Sequence, residues 1–225
     1  MTNSKVYLIG DCQSNRIYEH YNEDPSFINL FLWGKGGKSA WGFDPILLSE
    51  EGAISDGLEH GKYSKSYEPM NFAQIENVPG NLIIAWFGYI DCKYKIAQKG
   101  DAESTAYRYI NSLKKDLRGA EILLVEPLPQ FLDDIYLESE NVPVFDYKIR
   151  RPIELEFCSN LKKFASEFGI TNYITQKEIL DAIGLPVLRL KDTPQDRGHP
   201  VDGLLPHLNL AVYNLIVQKA IKIIS

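Results

Sequence analysis

A short apolar run that ends in a tight turn is the feature of this chain that most constrains its fold. Residues 5–9 favour a strand, and the segment Gly10-Asp11-Cys12-Gln13-Ser14 follows them directly, before a helical segment at residues 15–21. The glycine permits a sharp turn, and a helix that begins just after it would stabilise negative charge. A strand, a turn with a small nucleophilic side chain and a helix place that side chain at the carboxyl edge of a sheet. We therefore expect an α/β fold whose chemistry takes place at this turn.

Strand-like and helical periods continue to alternate along the chain. Residues 82–87 form a continuous apolar run, which is typical of a strand that is buried on both faces of a parallel sheet. The predicted strands cover residues 5–9, 27–33, 82–87, 121–125 and 170–174, and the last helix covers residues 209–224. This alternation predicts a three-layer α/β sandwich, in which a mostly parallel sheet of about five strands is flanked by helices.

Two further amphipathic helices separate the later strands. The first covers residues 103–118, and Gly119 is predicted to occupy its C′ position. Its apolar face consists of Ala106, Ile110, Leu113 and Leu117. The second ends before Gly169, and its apolar stripe consists of Leu155, Cys158, Leu161, Ala165 and Phe168. We expect one domain that spans residues 1–225, with loop-rich insertions at residues 43–80 and 130–152.

Composition and charge exclude several classes of protein. The formal net charge of −6 and the absence of long basic clusters argue against binding to nucleic acid. The apolar runs are too short to span a bilayer, and the first strand starts too early to leave room for a signal peptide. The three cysteines, Cys12, Cys92 and Cys158, suit neither a disulfide framework nor a zinc site. We therefore expect a reduced, cytoplasmic and soluble protein without a metal or a cofactor.

Four segments of the sequence resemble, in the same order, the motifs of the SGNH (GDSL-type) hydrolase superfamily. The first turn resembles the Gly-Asp-Ser nucleophile block, with Cys12 where serine is usual, and Phe87-Gly88-Tyr89-Ile90-Asp91 resembles the Gly-x-Asn-Asp block. Residues 121–129 resemble the fourth strand and its proline-rich exit. Asp202 and His207 resemble the terminal Asp-x-x-His block. The resemblance covers most of the chain and implies the flavodoxin-like SGNH sandwich.

The resemblance implies an esterase or acyltransferase that acts on an acyl ester of a small molecule or glycan through an acyl-enzyme at Cys12. A thiol needs a base to take its proton, and a helix N-terminus beside a histidine favours the thiolate. His207 would be that base, and Asp202 would orient its imidazole. Ser14 is a rival nucleophile, although it lies two positions late in the family pattern and could instead cap the first helix. Alternatively, Cys12 is a small residue that merely fits the turn.

The acid and base of the family motif have two candidate pairs in this sequence. Asp196 and His199 keep the three-residue spacing of the motif, which Asp202 and His207 do not. His207 is nevertheless preferred, because it directly precedes an amphipathic helix for which Asn209 is a plausible N-cap.

The oxyanion hole of the family combines the nucleophile's backbone N–H with a glycine N–H and an asparagine side chain. Gly36 or Gly37, after the second strand, would supply the glycine N–H, and Gly88 lies in the second motif. Ile90 stands where the asparagine is usual, and its side chain has no donor. Losing one such donor typically costs about 100- to 1,000-fold in rate.

Three charged residues follow the glycine of the second motif. Asp91, Lys93 and Lys95 would bind a polar or anionic group of the substrate, or they form a solvated loop with an ion pair. Because Cys12 and Ile90 both depart from the family pattern, the alternative function is a catalytically silent module that binds glycan or belongs to a larger assembly. A small molecule or glycan is the expected partner, and a homo-oligomer is left open.

Overall fold

The structure is a computed structural model that describes residues 4–10, 30–34, 75–89, 91–92, 96, 101–117, 119–128, 147–184, 195–196, 199–200 and 204–225. Of residues 30–34, 116, 147–150, 195–196, 199–200 and 204–210 it describes the backbone alone. Within these ranges, no helix combines the length and the apolar character that crossing a bilayer requires. The predicted insertion at residues 43–80 lies outside the described part except for residues 75–80.

Five parallel strands form the central sheet of the described part of the chain. They are β1 (Val6–Gly10), β2 (Leu30–Gly34), β3 (Leu82–Trp86), β4 (Glu121–Val125) and β5 (Asn172–Ile174). Their order is β2-β1-β3-β4-β5, and each neighbouring pair is parallel. This is the strand order of flavodoxin-like doubly wound sheets. The predicted parallel α/β sheet is therefore confirmed.

Helices and a short antiparallel pair of strands accompany the sheet. The helices are α1 (Ala102–Asp116), α2 (Tyr147–Glu167), α3 (Gln176–Ile183) and α4 (Leu204–Ile224). The two short strands are β6 (Gln195–Asp196) and β7 (His199–Pro200).

Both faces of the sheet are buried, each under a different set of helices. Tyr7 and Ile83 belong to a core that includes buried residues of α1 and α2. Leu8 and Ile84 belong to a second core that includes residues of α3 and α4. Because successive strand residues point to opposite faces, a strand between two cores must be apolar at every position. This arrangement confirms the predicted three layers.

The α1 helix has the predicted apolar face but ends differently from the prediction. Asp101 caps its start, since the Asp101 side chain accepts a hydrogen bond from the Ser104 N–H at 3.0 Å. The helix ends at the C-cap Leu117, so position 118 is C′ and Gly119, the predicted C′ residue, lies one position beyond it. Gly119 is needed for another reason, because a Cβ there would lie 2.2 Å from the carbonyl oxygen of Asn77.

The α2 helix corrects two predictions. It begins at Tyr147, within the segment 130–152 that was predicted to be a loop-rich insertion. Cys158, Leu161 and Ala165 of its predicted stripe are buried. Leu155 is 50% exposed, so its assignment to the core-facing stripe is wrong. It instead lines the wall of a pocket.

The α3 helix was missed by the sequence analysis, although the sequence contains its start signal. Thr175 and Glu178 form a capping box, in which the Thr175 side chain accepts from the Glu178 N–H and the Glu178 carboxylate accepts from the Thr175 N–H. Gly184 ends the helix in the left-handed region, at a φ of 71°. An ion pair of 2.8 Å between Lys219 and Glu178 links α3 to α4.

Two asparagines link the amino ends of the central strands. The Asn81 side chain accepts a hydrogen bond from the Lys5 N–H at 2.9 Å, and its backbone carbonyl accepts from the Glu121 N–H at 3.0 Å. The Asn77 side chain accepts from the Gly119 N–H at 2.7 Å. The starts of β1, β3 and β4 are thus tied together at the edge opposite the predicted site.

Candidate active site

The carboxyl ends of β1, β2 and β3 meet at one edge of the sheet. Gly10, the last residue of β1, is paired with Gly34 of β2 on one side and with Trp86 of β3 on the other. The chain leaves β1 toward β2 and later returns to β3 on the opposite side, which makes β1/β3 the switch point of the sheet. In open α/β sheets, ligands bind in the crevice at this point. Cys12 is two residues beyond Gly10 in the sequence.

Most of the predicted catalytic and oxyanion residues lie outside the described residues. They are Cys12, Ser14, Gly36, Gly37 and Asp202, and the same holds for Ile90, which stands in the asparagine place, and for Lys93 and Lys95, which could bind substrate. Their mutual arrangement therefore stays a prediction.

The structure describes the backbone of the alternative acid and base pair. Asp196 on β6 and His199 on β7 are directly opposite each other in the antiparallel pair. His207 lies within α4, which begins at Leu204 and so starts before the predicted residue 209. Asn209 is consequently inside the helix and cannot be its N-cap. The reason for preferring His207 over His199 was therefore wrong.

Gly88 forms a tight turn immediately after β3. Its φ is +119°, in the region that favours glycine, and the Cys92 N–H donates to the Gly88 carbonyl at 3.0 Å. A Cβ at this position would lie 2.5 Å from the Phe157 ring and 3.2 Å from Cγ of Pro127. Helix α2 and the chain after β4 therefore pack directly against the turn. Only glycine fits here without displacing them.

Asp91, predicted to bind substrate, is completely buried at 0% exposure. The side chains of Tyr89 and Cys92 beside it are buried as well. Asp91 interacts with neighbouring groups of the protein. A buried carboxylate is stable only when it has such interactions. We therefore expect Asp91 to hold the turn in position beneath the crevice.

A buried polar cluster at the carboxyl ends of β4 and β5 was not predicted. Glu126 follows β4 directly; its carboxylate accepts a hydrogen bond from the Tyr173 hydroxyl at 2.9 Å and another from the Gln176 N–H at 2.5 Å. The Glu126 backbone carbonyl accepts from the Trp86 indole N–H at 2.9 Å. The cluster is thereby connected to the end of β3. A glutamate at the end of an apolar strand was its only sequence signal.

The Gln176 side chain extends this cluster to α2. Its Nε2 donates to the Pro127 carbonyl at 2.9 Å and to the Glu154 carboxylate at 2.8 Å, and its Oε1 accepts from Arg151 at 2.9 Å. Arg151 also forms an ion pair with Glu154. Glu154 and Gln176 are both buried, so the cluster is rigidly held.

Burial alters the titration of three groups in this cluster. Burial raises the pKa of Glu126 above its usual range, and the hydrogen bonds from Gln176 and Tyr173 only partly oppose it. Burial and the nearby Glu126 carboxylate raise the pKa of Tyr173 far above its usual value. The same two causes raise the pKa of Cys158 well above its usual value. Cys158 is therefore a thiol at neutral pH and not a nucleophile.

The described residues contain no cluster of three or more His, Cys, Asp or Glu side chains suited to a metal ion. They do contain a pocket of about 580 Å³ beside the polar cluster, between α2 and α3. Glu126, Arg151, Leu155, Cys158, Lys162 and Gln176 are among the residues that line it.

Solved structures are similar to this chain, whereas no protein-family model and no curated protein matches it. A GDSL-like lipase from Bacteroides thetaiotaomicron VPI-5482 has a TM-score of 0.59 and 13% identity, over 96% of this chain and 89% of that chain. The acetyl xylan esterase AlAXEase has a TM-score of 0.53 and 15% identity, over 94% and 99%. A gut microbial diltiazem-metabolizing enzyme has a TM-score of 0.55 and 15% identity, over 96% of this chain but only 46% of that chain. This chain thus spans about half the length of that enzyme. These similarities and the observed strand order show that the chain has the SGNH-hydrolase fold.

Proposed function

We propose that this protein is an SGNH-type ester hydrolase or acyltransferase that acts on an acyl ester of a small molecule or glycan. The observation that carries the proposal is the pairing of Gly10 with Trp86, because β1 ends two residues before Cys12 beside the end of β3, two residues before Gly88, at the switch point of the sheet. Structures with the same fold are described as a GDSL-like lipase and an acetyl xylan esterase, which supports ester chemistry.

The proposed reaction proceeds through a thioester at Cys12. The sulfur attacks the acyl carbonyl while a histidine takes the thiol proton, and the backbone N–H groups of Cys12 and of Gly36 or Gly37 bind the oxyanion. The intermediate then expels the alcohol, which receives the proton from the imidazolium. Water or an acceptor alcohol attacks the thioester, releases the acyl group and returns the proton to Cys12. Ile90 offers no side-chain donor to the oxyanion, so we expect slow turnover.

Two histidines compete for the role of base in this mechanism. His207 would act with Asp202, and His199 would act with Asp196, whose backbone is paired with that of His199 in β6 and β7. The second pair also keeps the spacing of the family motif. Separate substitutions of the two histidines would therefore identify the base.

Hydrolysis of p-nitrophenyl acetate by the full chain tests the proposal. We expect Cys12→Ala to reduce the rate to that of buffer, because the acyl-enzyme can no longer form. His199→Gln and His207→Gln should separate the two bases, since only the true base loses activity when it is replaced. Iodoacetamide should label Cys12 and leave Cys92 and Cys158 unmodified, because those two side chains are buried.

Cys92→Ser provides the control for general effects of removing a thiol, with its folding checked by circular dichroism. If wild type and Cys12→Ala hydrolyse the ester at the same rate, catalysis at Cys12 is refuted. That result would favour the catalytically silent glycan-binding module. The differences from the family motifs at Cys12 and Ile90 support this alternative.

A further inference from the structure

The pocket of about 580 Å³ between α2 and α3 opens at the same edge of the sheet as the proposed active site. It lies at the carboxyl ends of β4 and β5, whereas Cys12 follows β1. Neighbouring strands are about 4.8 Å apart, so β4 and β5 are displaced from β1 by about 10 and 14 Å across the sheet. The described residues that line the pocket therefore come from α2, α3 and the segments directly after β4 and β5, and none comes from β1, β2 or β3.

A rigid guanidinium forms one side of this pocket. Arg151 is held through its Nη1 by the Gln176 side chain and by the ion pair with Glu154. Both of these partners are buried and fixed by further hydrogen bonds. A guanidinium has five N–H donors in one plane, and among the described residues its other nitrogens meet no partner. Arg151 is thus preorganised to donate to a ligand.

Among the charged residues that the structure describes in the pocket lining, Lys162 is the cation that belongs to no ion pair. Lys177 is paired with Asp181 at 2.5 Å, and Arg151 is paired with Glu154. Lys162 also lines the pocket, is exposed, and forms no ion pair with any residue that the structure describes. Glu126 is the remaining acid in the pocket wall, and both of its carboxylate oxygens already accept hydrogen bonds, from Tyr173 and from the Gln176 N–H. Lys162 and the remaining N–H groups of Arg151 are therefore the donors that this pocket offers to an anionic ligand.

Two leucines give the pocket lining an apolar part. Leu155 of α2 lines it and remains 50% exposed, although it is a large hydrophobic residue on a helix. Leu180 of α3 lines it as well. An apolar segment of a ligand would cover these two side chains and remove them from water. A ligand that fits the pocket therefore combines one anionic group with an apolar arm.

We propose that this pocket binds a small carboxylate with an apolar arm, whose carboxylate contacts Lys162 and Arg151 and whose arm packs against Leu155 and Leu180. A carboxylate matches the planar guanidinium, and a single charge matches the one unpaired lysine. This binding does not depend on acyl chemistry at Cys12, and it is measured without turnover.

Calorimetric titration of the full chain with hexanoate tests this site. We expect saturable binding of hexanoate and no binding of hexanamide, which has the same shape without the charge. Lys162→Met should weaken hexanoate binding about tenfold, the effect of losing one charge-assisted hydrogen bond. Leu155→Ser should weaken the binding of hexanoate but not that of acetate, which lacks the arm.

The neighbouring Lys163 offers a matched control. It is exposed on the same helix, but it is paired with Glu103 at 3.0 Å and does not line the pocket. Lys163→Met should leave hexanoate binding unchanged. Equal effects of the two lysine variants, equal binding of hexanamide, or no saturable binding of hexanoate would each overturn the proposal. Circular dichroism of both variants confirms that neither change has unfolded the chain.

Discussion

Glu126 is a buried carboxyl group that binds its proton more tightly in the folded protein than in the unfolded chain. Burial is the largest cause, and the hydrogen bonds from Gln176 and Tyr173 do not cancel it, so its pKa lies above the usual value of 4.5. Between the unfolded and folded pKa values, the folded state holds more protons. The free energy of unfolding therefore falls as pH rises through this interval, and it levels off above the folded pKa.

Glu126→Gln should remove this pH dependence. The amide has nearly the same shape, its oxygen can accept the Gln176 N–H, and its NH₂ can donate to the Tyr173 hydroxyl. Because the amide does not ionise, the free energy of unfolding should lose the decrease that wild type has as pH rises from the unfolded to the folded pKa of Glu126. Urea titrations at several pH values measure this free energy of unfolding. Glu103→Gln, at an exposed site on α1, is the control and should keep the wild-type slope. If Glu126→Gln kept the wild-type dependence of the free energy of unfolding on pH, Glu126 would not be the group that causes it.

At the scale of elements, the turn after β3 and the helix α2 are fitted to each other through Gly88. The turn needs a positive φ, and the Phe157 ring occupies the space where a side chain would begin. A side chain at position 88 would therefore lower the free energy of unfolding in two separate ways, through backbone strain and through the steric contact with Phe157. Gly80 allows the two effects to be measured separately, because its φ is +90° and no described residue lies within 4 Å of its Cβ position.

Gly88→Ala should destabilise the protein more than Gly80→Ala. Both substitutions have the cost of a left-handed backbone, on the order of 1–3 kcal/mol, but only the first also displaces Phe157. Urea denaturation measures the free energy of unfolding of both variants. Combining Gly88→Ala with Phe157→Leu should cost less than the sum of the two single changes, because the smaller side chain makes room for the methyl group. If Gly88→Ala and Gly80→Ala lowered the free energy of unfolding equally, the contact with Phe157 would be unimportant.

For the molecule as a whole, the sequence was sufficient to predict the three layers but not to predict the polar cluster around Glu126. The apolar runs at β1, β3 and β4 predicted a parallel sheet because a strand between two cores cannot be polar. Leu155 was misplaced because helical spacing cannot distinguish a core face from a pocket wall. The Glu126–Gln176 contact joins residues 50 positions apart, and only the pairing of β4 with β5 brings them together. The catalytic side chains themselves remain predictions.

The same architecture predicts how stability is distributed over the molecule. Every residue of β1 and β3 is buried, and so are four of the five residues of β4, whereas α3 has eight residues and only two of them, Gln176 and Ile179, are buried. Native-state hydrogen exchange should therefore show that amides such as that of Ile84 exchange only by global unfolding. Amides of α3 should exchange through local opening at a lower free energy. If α3 amides were as protected as those of β3, the helix would unfold only together with the sheet.

The asparagine links at the amino edge have a practical consequence for engineering. Asn77 and Asn81 fix where three strands begin, and a strand of five residues spans roughly 17 Å, so the loops that would determine substrate choice start from a fixed platform at the far edge. Libraries that randomise those loops can therefore search for new specificities while the scaffold stays intact. Substitutions at the two asparagines would instead disturb every loop at once, so a directed-evolution campaign should leave them unchanged.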